Sequence, residues 1–122
     1  GPNRSWYLYN IDDVKKDEPV VLVEGIFDAE AVKRVGFNAV AIMGSKVSDT
    51  QIGKLLAKNP SIILLMLDGD KAGAEGTMEA YRKLLKRTHT PIRDVSLTDD
   101  IDPDEVPTSA LRNLLLDAAR LG

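Results

Sequence analysis

The stretch that decides the fold is Ile62-Ile-Leu-Leu-Met-Leu67 followed at once by Asp68-Gly69-Asp70, an apolar run that ends on two carboxylates one glycine apart. Six consecutive apolar residues match a strand covered on both faces, which is how strands of parallel sheets are buried. The run begins after Asn59-Pro60, a pair that ends whatever helix precedes it. That helix starts at Ser48-Asp-Thr-Gln51, spaced as a capping box, and extends to about Lys58.

The same alternation extends in both directions. Upstream, Pro19 opens Val20-Val21-Leu22-Val23, a second apolar run. A helix is expected from Asp28 to Val35, with Phe27, Ala31 and Val35 on one face and Gly36 as its cap. Ala39-Val40-Ala41-Ile42 then gives another strand, closed by Gly44. Downstream, a helix is expected over Ala72 to Arg87, with Ala74, Thr77/Met78, Tyr81 and Leu84/Leu85 in period and Gly73 and Gly76 weakening its first turn. Ile92 to Leu97 reads as a fourth strand. Leu111, Leu114/Leu115, Ala118 and Leu121 mark a last amphipathic helix starting near Pro107. Trp6-Tyr-Leu-Tyr9 is placed to add an edge strand, with Trp6 covering the sheet edge or stacking a base. Strand–helix alternation of this kind gives an α/β fold: a mostly parallel sheet of four to five strands with helices on both faces.

The acids fall where such a sheet binds ligands. Glu24 follows the first strand and Asp28 lies a helical turn further on. Asp68 and Asp70 follow the third strand. Asp102 and Asp104, preceded by Asp99 and Asp100, come shortly after the fourth. Parallel strands share one C-terminal edge, so three segments deliver carboxylates to one region. Packed together without a cation they repel, and some must take up protons. Hard oxygen donors in this number suit Mg²⁺ or Mn²⁺. Gly25 and Gly69 are expected to keep bulk away from that edge, with Gly69 letting both flanking aspartates face one ion. Taken singly, each acid has a plainer reading: a solvated Asp-Gly-Asp turn, a first-turn Asp28 complementing its helix dipole, or an acidic loop from Asp99 to Glu105.

With 122 residues, the chain has room for one core, and residues 3–122 are expected to form one catalytic domain behind a Gly1-Pro2 expression scar. No apolar run approaches the ~20 residues that span a bilayer. The chain has no cysteine, which excludes a disulfide framework and a cysteine-ligated zinc. A soluble intracellular protein, cytoplasmic or in a phage host's cytoplasm, is the expectation. The net charge of −3 runs against a self-sufficient nucleic-acid binder, which usually carries a basic face.

Glu24-Gly-Ile-Phe-Asp28 resembles the first motif of the Toprim superfamily, Glu-Gly-x-x-Asp after a strand, and Leu67-Asp-Gly-Asp-Lys-Ala-Gly73 resembles the second. Leu97-Thr-Asp-Asp-Ile-Asp-Pro-Asp-Glu105 is similar to the third motif of bacterial and phage primases, commonly Leu-Pro-x-Gly-x-Asp-Pro-Asp, with Thr98 and Asp100 in place of proline and glycine. Phe37-Asn-Ala-Val-Ala-Ile-Met-Gly44, Ser48, Gln51 and Leu8-Tyr9 also fit the primase pattern. The resemblance spans about Leu8 to Leu116. It implies a Rossmann-like Toprim fold and a central triad of Glu24, Asp68 and Asp70, with Asp28, Asp102 and Asp104 completing the metal-binding edge. It further implies nucleotidyl transfer from nucleoside triphosphates on a single-stranded DNA template, as in RNA primer synthesis during DNA replication. Glu24 as a general acid or base is an alternative role. A replicative helicase would be met through regions this chain lacks. Such primases also carry a zinc module and a basic subdomain. With no cysteine and only His89, the chain is expected to be an excised catalytic domain or a minimal relative. A Toprim nuclease that activates water with the same carboxylates is the competing activity. A docking module without turnover is a third reading.

Lys46 and Lys71, just past strand ends, are candidates for substrate phosphate contacts or for solvated loop lysines. Arg82-Lys-Leu-Leu-Lys-Arg87 is either a contact for a nucleic-acid backbone or the exposed, dipole-complementing end of its helix.

Overall fold

The computed structural model describes residues 6–95, 97 and 100–120. The Gly1-Pro2 scar, Ser96, Thr98, Asp99 and Leu121, all used above, lie outside the described residues. The elements run in chain order as β1 (Val20–Val23), α1 (Ile26–Arg34), β2 (Asn38–Ala41), α2 (Asp49–Leu56), β3 (Ile63–Leu65), α3 (Lys71–Leu85), β4 (Ile92–Asp94) and α4 (Thr108–Ala119). The strands form one parallel sheet in the order β2-β1-β3-β4.

Alternation along each strand builds two cores. Val20, Leu22, Val40, Ile42, Ile63, Leu65 and Leu67 face one side, where Ile52 and Leu55 of α2 and Ala80 and Leu84 of α3 cover them. Val21, Val23, Ala39, Ala41, Leu64 and Met66 face the other, under Ala29 and Val32 of α1 and Leu111 and Leu115 of α4. Burying each Val, Leu, Ile or Met among them contributes about 1.5–3 kcal/mol, which explains why the central strands read as unbroken apolar runs. All of Ile62 to Leu67 is buried, although the ladder proper spans only Ile63–Leu65.

Several expectations need correction. Trp6 to Tyr9 is not a fifth strand: Tyr9 alone bridges Ala41, antiparallel, after which Asn10 turns away with a left-handed φ of 69°. Trp6 is 57 % exposed and does not cover the sheet; Leu8 is the buried residue of that segment. The buried Gln51 amide anchors it, donating to the carbonyls of Tyr7 (2.6 Å) and Ile42 (3.0 Å). The fourth strand is shorter than expected, because β4 is an edge strand with a partner on one side only.

Phe27 is 78 % exposed, not on the core face of α1. The helix starts at Ile26, so its first turn overhangs the end of β1, and the chain packs through Ala29, Ala31, Val32 and Val35 instead. In α3 the period is right, and Thr77 and Leu84 of the expected face are buried, but the stripe is rotated away from Ala74 and Tyr81 toward Gly73, Gly76 and Ala80. The buried positions are Gly73, Gly76, Thr77, Ala80 and Leu84, while Met78, Tyr81 and Leu85 are exposed. Size decides this phase. A methyl on Gly73 would lie 2.0 Å from the Asp68 carbonyl oxygen, and one on Gly76 2.0 Å from that of Ser45. These glycines, read above as helix-weakening, let α3 lie directly on neighbouring backbone. Their propensity cost of about 1 kcal/mol each is offset by that packing.

Gly76→Ala is therefore expected to lower stability by about 2 kcal/mol or more, overpacking outweighing the gain in helix propensity. Gly53→Ala in α2, where the added methyl meets only the end of the Arg87 side chain at 3.4 Å, should be neutral or stabilising by up to about 1 kcal/mol. Urea unfolding of the two variants beside the wild type checks this; equal effects would show that the close approach is absent in solution.

Candidate metal centre

The site begins with the ends of adjacent parallel strands. β1 and β3 pair directly, so Glu24 and Asp68 emerge side by side. The Asp68 amide donates to Glu24 Oε1 at 3.2 Å, fixing one carboxylate by the backbone of the next. Asp28, in the first turn of α1, is 7 % exposed, and its Oδ1 accepts the Asp104 amide at 3.2 Å. That bond brings the turn Pro103–Glu105 onto α1. Gly69 lies against the loop that leads into this turn: a methyl there would come within 2.9 Å of the Ile101 carbonyl oxygen. Its smallness thus admits the third acidic segment, a different role from aiming both aspartates at one ion. A methyl on Gly25 would make only an ordinary contact with Asp28, at 3.7 Å.

Asp70 is turned aside. It caps α3, its Oδ1 accepting the Gly73 amide at 2.7 Å, so one oxygen is committed to the helix. Glu24, Asp68 and Asp70 are thus neighbours without closing into a tight triad. Three carboxylates approach within 4.8 Å of one another at Asp102, Asp104 and Glu105, among the described residues. Glu105 was not singled out as a candidate above. Its signal is the Asp-x-x-Glu capping spacing, and Glu105 Oε1 accepts the Asp102 amide at 2.8 Å. Lys46 is exposed in the β2–α2 loop, and Lys71 is the exposed first residue of α3.

The acids are within electrostatic reach of one another. Burial pushes the Asp68 carboxyl up to about 7, helped by the charges of Glu24, Asp102 and Asp70. Burial likewise raises Asp28 to about 7 against the opposing hydrogen bond from Asp104, with Asp68 and Asp104 adding repulsion. Glu24 and Asp102 are also raised, again chiefly by burial. Asp68 Oδ1 is buried with no hydrogen-bond partner among the described residues. A buried carboxylate oxygen without a donor is costly and calls for a cation. The donor set around it is carboxylate only, which fits Mg²⁺ or Mn²⁺ and not a thiolate- or imidazole-selecting metal.

The family described as Toprim-like matches residues 21–106, a span that holds every carboxylate above. A DNA primase of Enterococcus faecalis is 33 % identical over 110 residues, covering 84 % of this chain and 17 % of that protein. A DNA primase of Staphylococcus aureus is 37 % identical over 103 residues, covering 80 % and 17 %. The chain thus spans about a sixth of the length of these relatives. Among solved structures, a DNA primase domain from Pseudomonas aeruginosa superposes with a TM-score of 0.79 at 25 % identity, covering 94 % of this chain and 39 % of that one.

Raised carboxyls fix the sign of the pH dependence. Asp28 and Asp68 hold protons in the folded state up to about pH 7 and in the unfolded state only to about pH 4. The native state therefore binds more protons between those values, and stability without metal should fall as pH rises from about 4 to 7. Mn²⁺ or Mg²⁺ should restore it at about pH 8 by binding the folded state. Asp68→Asn with Asp70→Asn should flatten the pH profile in part, leaving the contribution of Asp28, and abolish the metal response. Thermal melts across pH, with chelator and with metal, test both; a melting temperature indifferent to metal would refute the site.

Proposed function

The chain belongs to the Toprim-like family and is homologous to the Toprim domains of DNA primases, and from that premise we propose that residues 3–122 form a primase-type catalytic domain performing metal-dependent nucleotidyl transfer in RNA primer synthesis. The observation that carries the reading is the unpartnered, buried Asp68 Oδ1 amid carboxylates from three segments. Glu24, Asp68 and Asp70 would hold the divalent ion, with Asp28, Asp102 and Asp104 completing the set and Glu105 beside them. Bound there, the ion supplies charge neutralisation at phosphate oxygens and lowers the barrier to attack by a 3′-hydroxyl.

The protein's own contribution is placement. Backbone amides of Asp68 and Asp104 hold Glu24 and Asp28 in fixed directions, so their ordering occurs on folding and not on substrate binding. One oxygen of Asp70 anchors α3, and in this reading the other would reach the ion. Lys46 and Lys71, exposed beside this edge, are point charges suited to the phosphates of an incoming nucleoside triphosphate. A single-stranded DNA template and a replicative helicase are the further partners this reading names, with action in the cytoplasm. None of the helices in the described residues is long and apolar enough to cross a membrane.

The third acidic segment separates polymerase from nuclease. Asp102→Ala with Asp104→Ala leaves the Asp104 amide, and so its bond to Asp28, in place. It removes two carboxylates that would share an ion with a triphosphate. Calorimetric titration with Mn²⁺ and a nucleoside triphosphate should show binding in the wild type, weakened about tenfold or more in the double variant, or about 1.4 kcal/mol. Single-stranded DNA and RNA incubated alongside should stay intact. Absence of triphosphate binding together with metal-dependent strand cleavage would replace this reading by a nuclease.

A further inference from the structure

The carboxylate edge carries apolar side chains for which metal and phosphate chemistry has no use. Ile26, Phe27, Met43 and Ile101 are large, apolar and exposed, Phe27 the most at 78 %. Each is tied to the acids by the chain or by a backbone bond. Ile26 and Phe27 lie between Glu24 and Asp28, in the first turn of α1. The Met43 amide donates to the Glu24 carbonyl at 2.7 Å. The Ile101 carbonyl accepts the amide of Gly69, between Asp68 and Asp70, at 3.2 Å. None of the four belongs to either core. Exposed apolar residues scattered singly are ordinary on a protein surface. Four attached to one polar centre are a different matter, because the fold leaves them in water and gains nothing from their placement.

Phe27 is the aromatic member of this set. Its helix begins at the acidic edge, with Gly25 as N-cap directly after Glu24. Helical side chains tilt toward the N-terminus of their own helix, so the Phe27 ring leans toward that edge and not back along α1. It is one residue from Asp28 and three from Glu24, which keeps its α-carbon within about 4 Å and 11 Å of theirs. Around the helix it stands about 100° from Asp28. Asp28 is buried and turned to the Asp104 amide, so the ring sits beside the carboxylates and does not compete with them for an ion. That is the place for the part of a ligand adjoining its metal-bound phosphates. In a nucleoside triphosphate that part ends in the base, a flat ring with a π-face. A phenyl ring has no hydrogen-bonding group with which to tell one base from another.

We propose that Phe27 stacks on the base of the nucleoside triphosphate held at the carboxylate edge, adding affinity and orientation without selecting among bases. This rests on the function proposed above, which supplies the triphosphate. Stacking then holds the nucleotide at both ends, phosphates on the ion and base on the ring, and restricts how its reacting phosphorus is presented.

The experiment titrates the whole chain, with Mn²⁺ present, with adenosine triphosphate and separately with ribose 5-triphosphate, which lacks only the base. Wild type should bind the nucleotide about tenfold tighter than the base-free ligand. Phe27→Ala and Phe27→Leu should each lose about that factor for adenosine triphosphate and leave ribose 5-triphosphate unchanged, whereas Phe27→Trp should bind the nucleotide at least as well as wild type. Melting temperature and metal response should match the wild type in all three, since the side chain is outside both cores. Equal binding of the two ligands by wild type would overturn the proposal while leaving the triphosphate reading intact. So would a Phe27→Leu protein as tight as wild type, which marks an apolar cover and not a stacking partner, or an equal loss of both ligands in Phe27→Ala, which marks a disturbed Asp28. Failure of both ligands to bind in the presence of metal would instead refute the triphosphate reading and this proposal with it.

Discussion

Mutual repulsion among buried carboxylates is the constraint around which this molecule is organised. Glu24, Asp28, Asp68 and Asp102 are each raised chiefly by burial and further by the charge of neighbouring carboxylates, Asp102 by Glu105, Asp104 and Asp70. Side chains in that position would turn away into solvent if free to do so. They are held by main chain instead: the Asp68 amide on Glu24 and the Asp104 amide on Asp28. Those bonds require β1 beside β3 and the Pro103–Glu105 turn pressed onto α1. The close approaches at Gly69 and Gly73 follow from the same need. An edge built from backbone in this way is rigid before any ligand arrives, at a cost in stability borne by the metal-free fold.

How much of this the sequence discloses depends on which physical property carries the information. Hydrophobicity is legible at the level of one residue, so the alternation of buried strands with helices, the parallel sheet and the carboxylates at strand ends could be placed in advance. Steric size acting across the fold is not. Nothing adjacent in sequence says that Gly73 will meet the Asp68 carbonyl or Gly76 that of Ser45, and a reading by apolarity favours Tyr81 and Met78 over Gly76 and Ala80 as the face of α3. Phe27 was misplaced for a related reason: helical period gives its angle around α1 and not its height above the sheet. Glu105 joined the acidic group through a capping bond to Asp102, a local pattern obscured by reading the segment only for its aspartates.

Loops around the acidic edge carry conformational strain that composition alone does not suggest. Met43 has φ of 63° two residues past the end of β2, and its amide donates to the Glu24 carbonyl at 2.7 Å. An unbranched residue without a side-chain acceptor has little to offset the left-handed conformation. Asp100 has φ of 57° at the position where the primase-like motif commonly carries glycine. Aspartate is among the few other residues that tolerate that region.

The strand order has a kinetic corollary. β1, the earliest strand in the chain, is an inner strand, flanked by β2 and β3. Every neighbouring pair is parallel, so no two strands can zip together through a tight turn, and each pairing must await closure of a loop that includes a helix. High contact order of this kind slows the search for the native state. Until β3 docks, one side of β1 presents unpaired amides and an apolar face, the arrangement most prone to intermolecular pairing during folding.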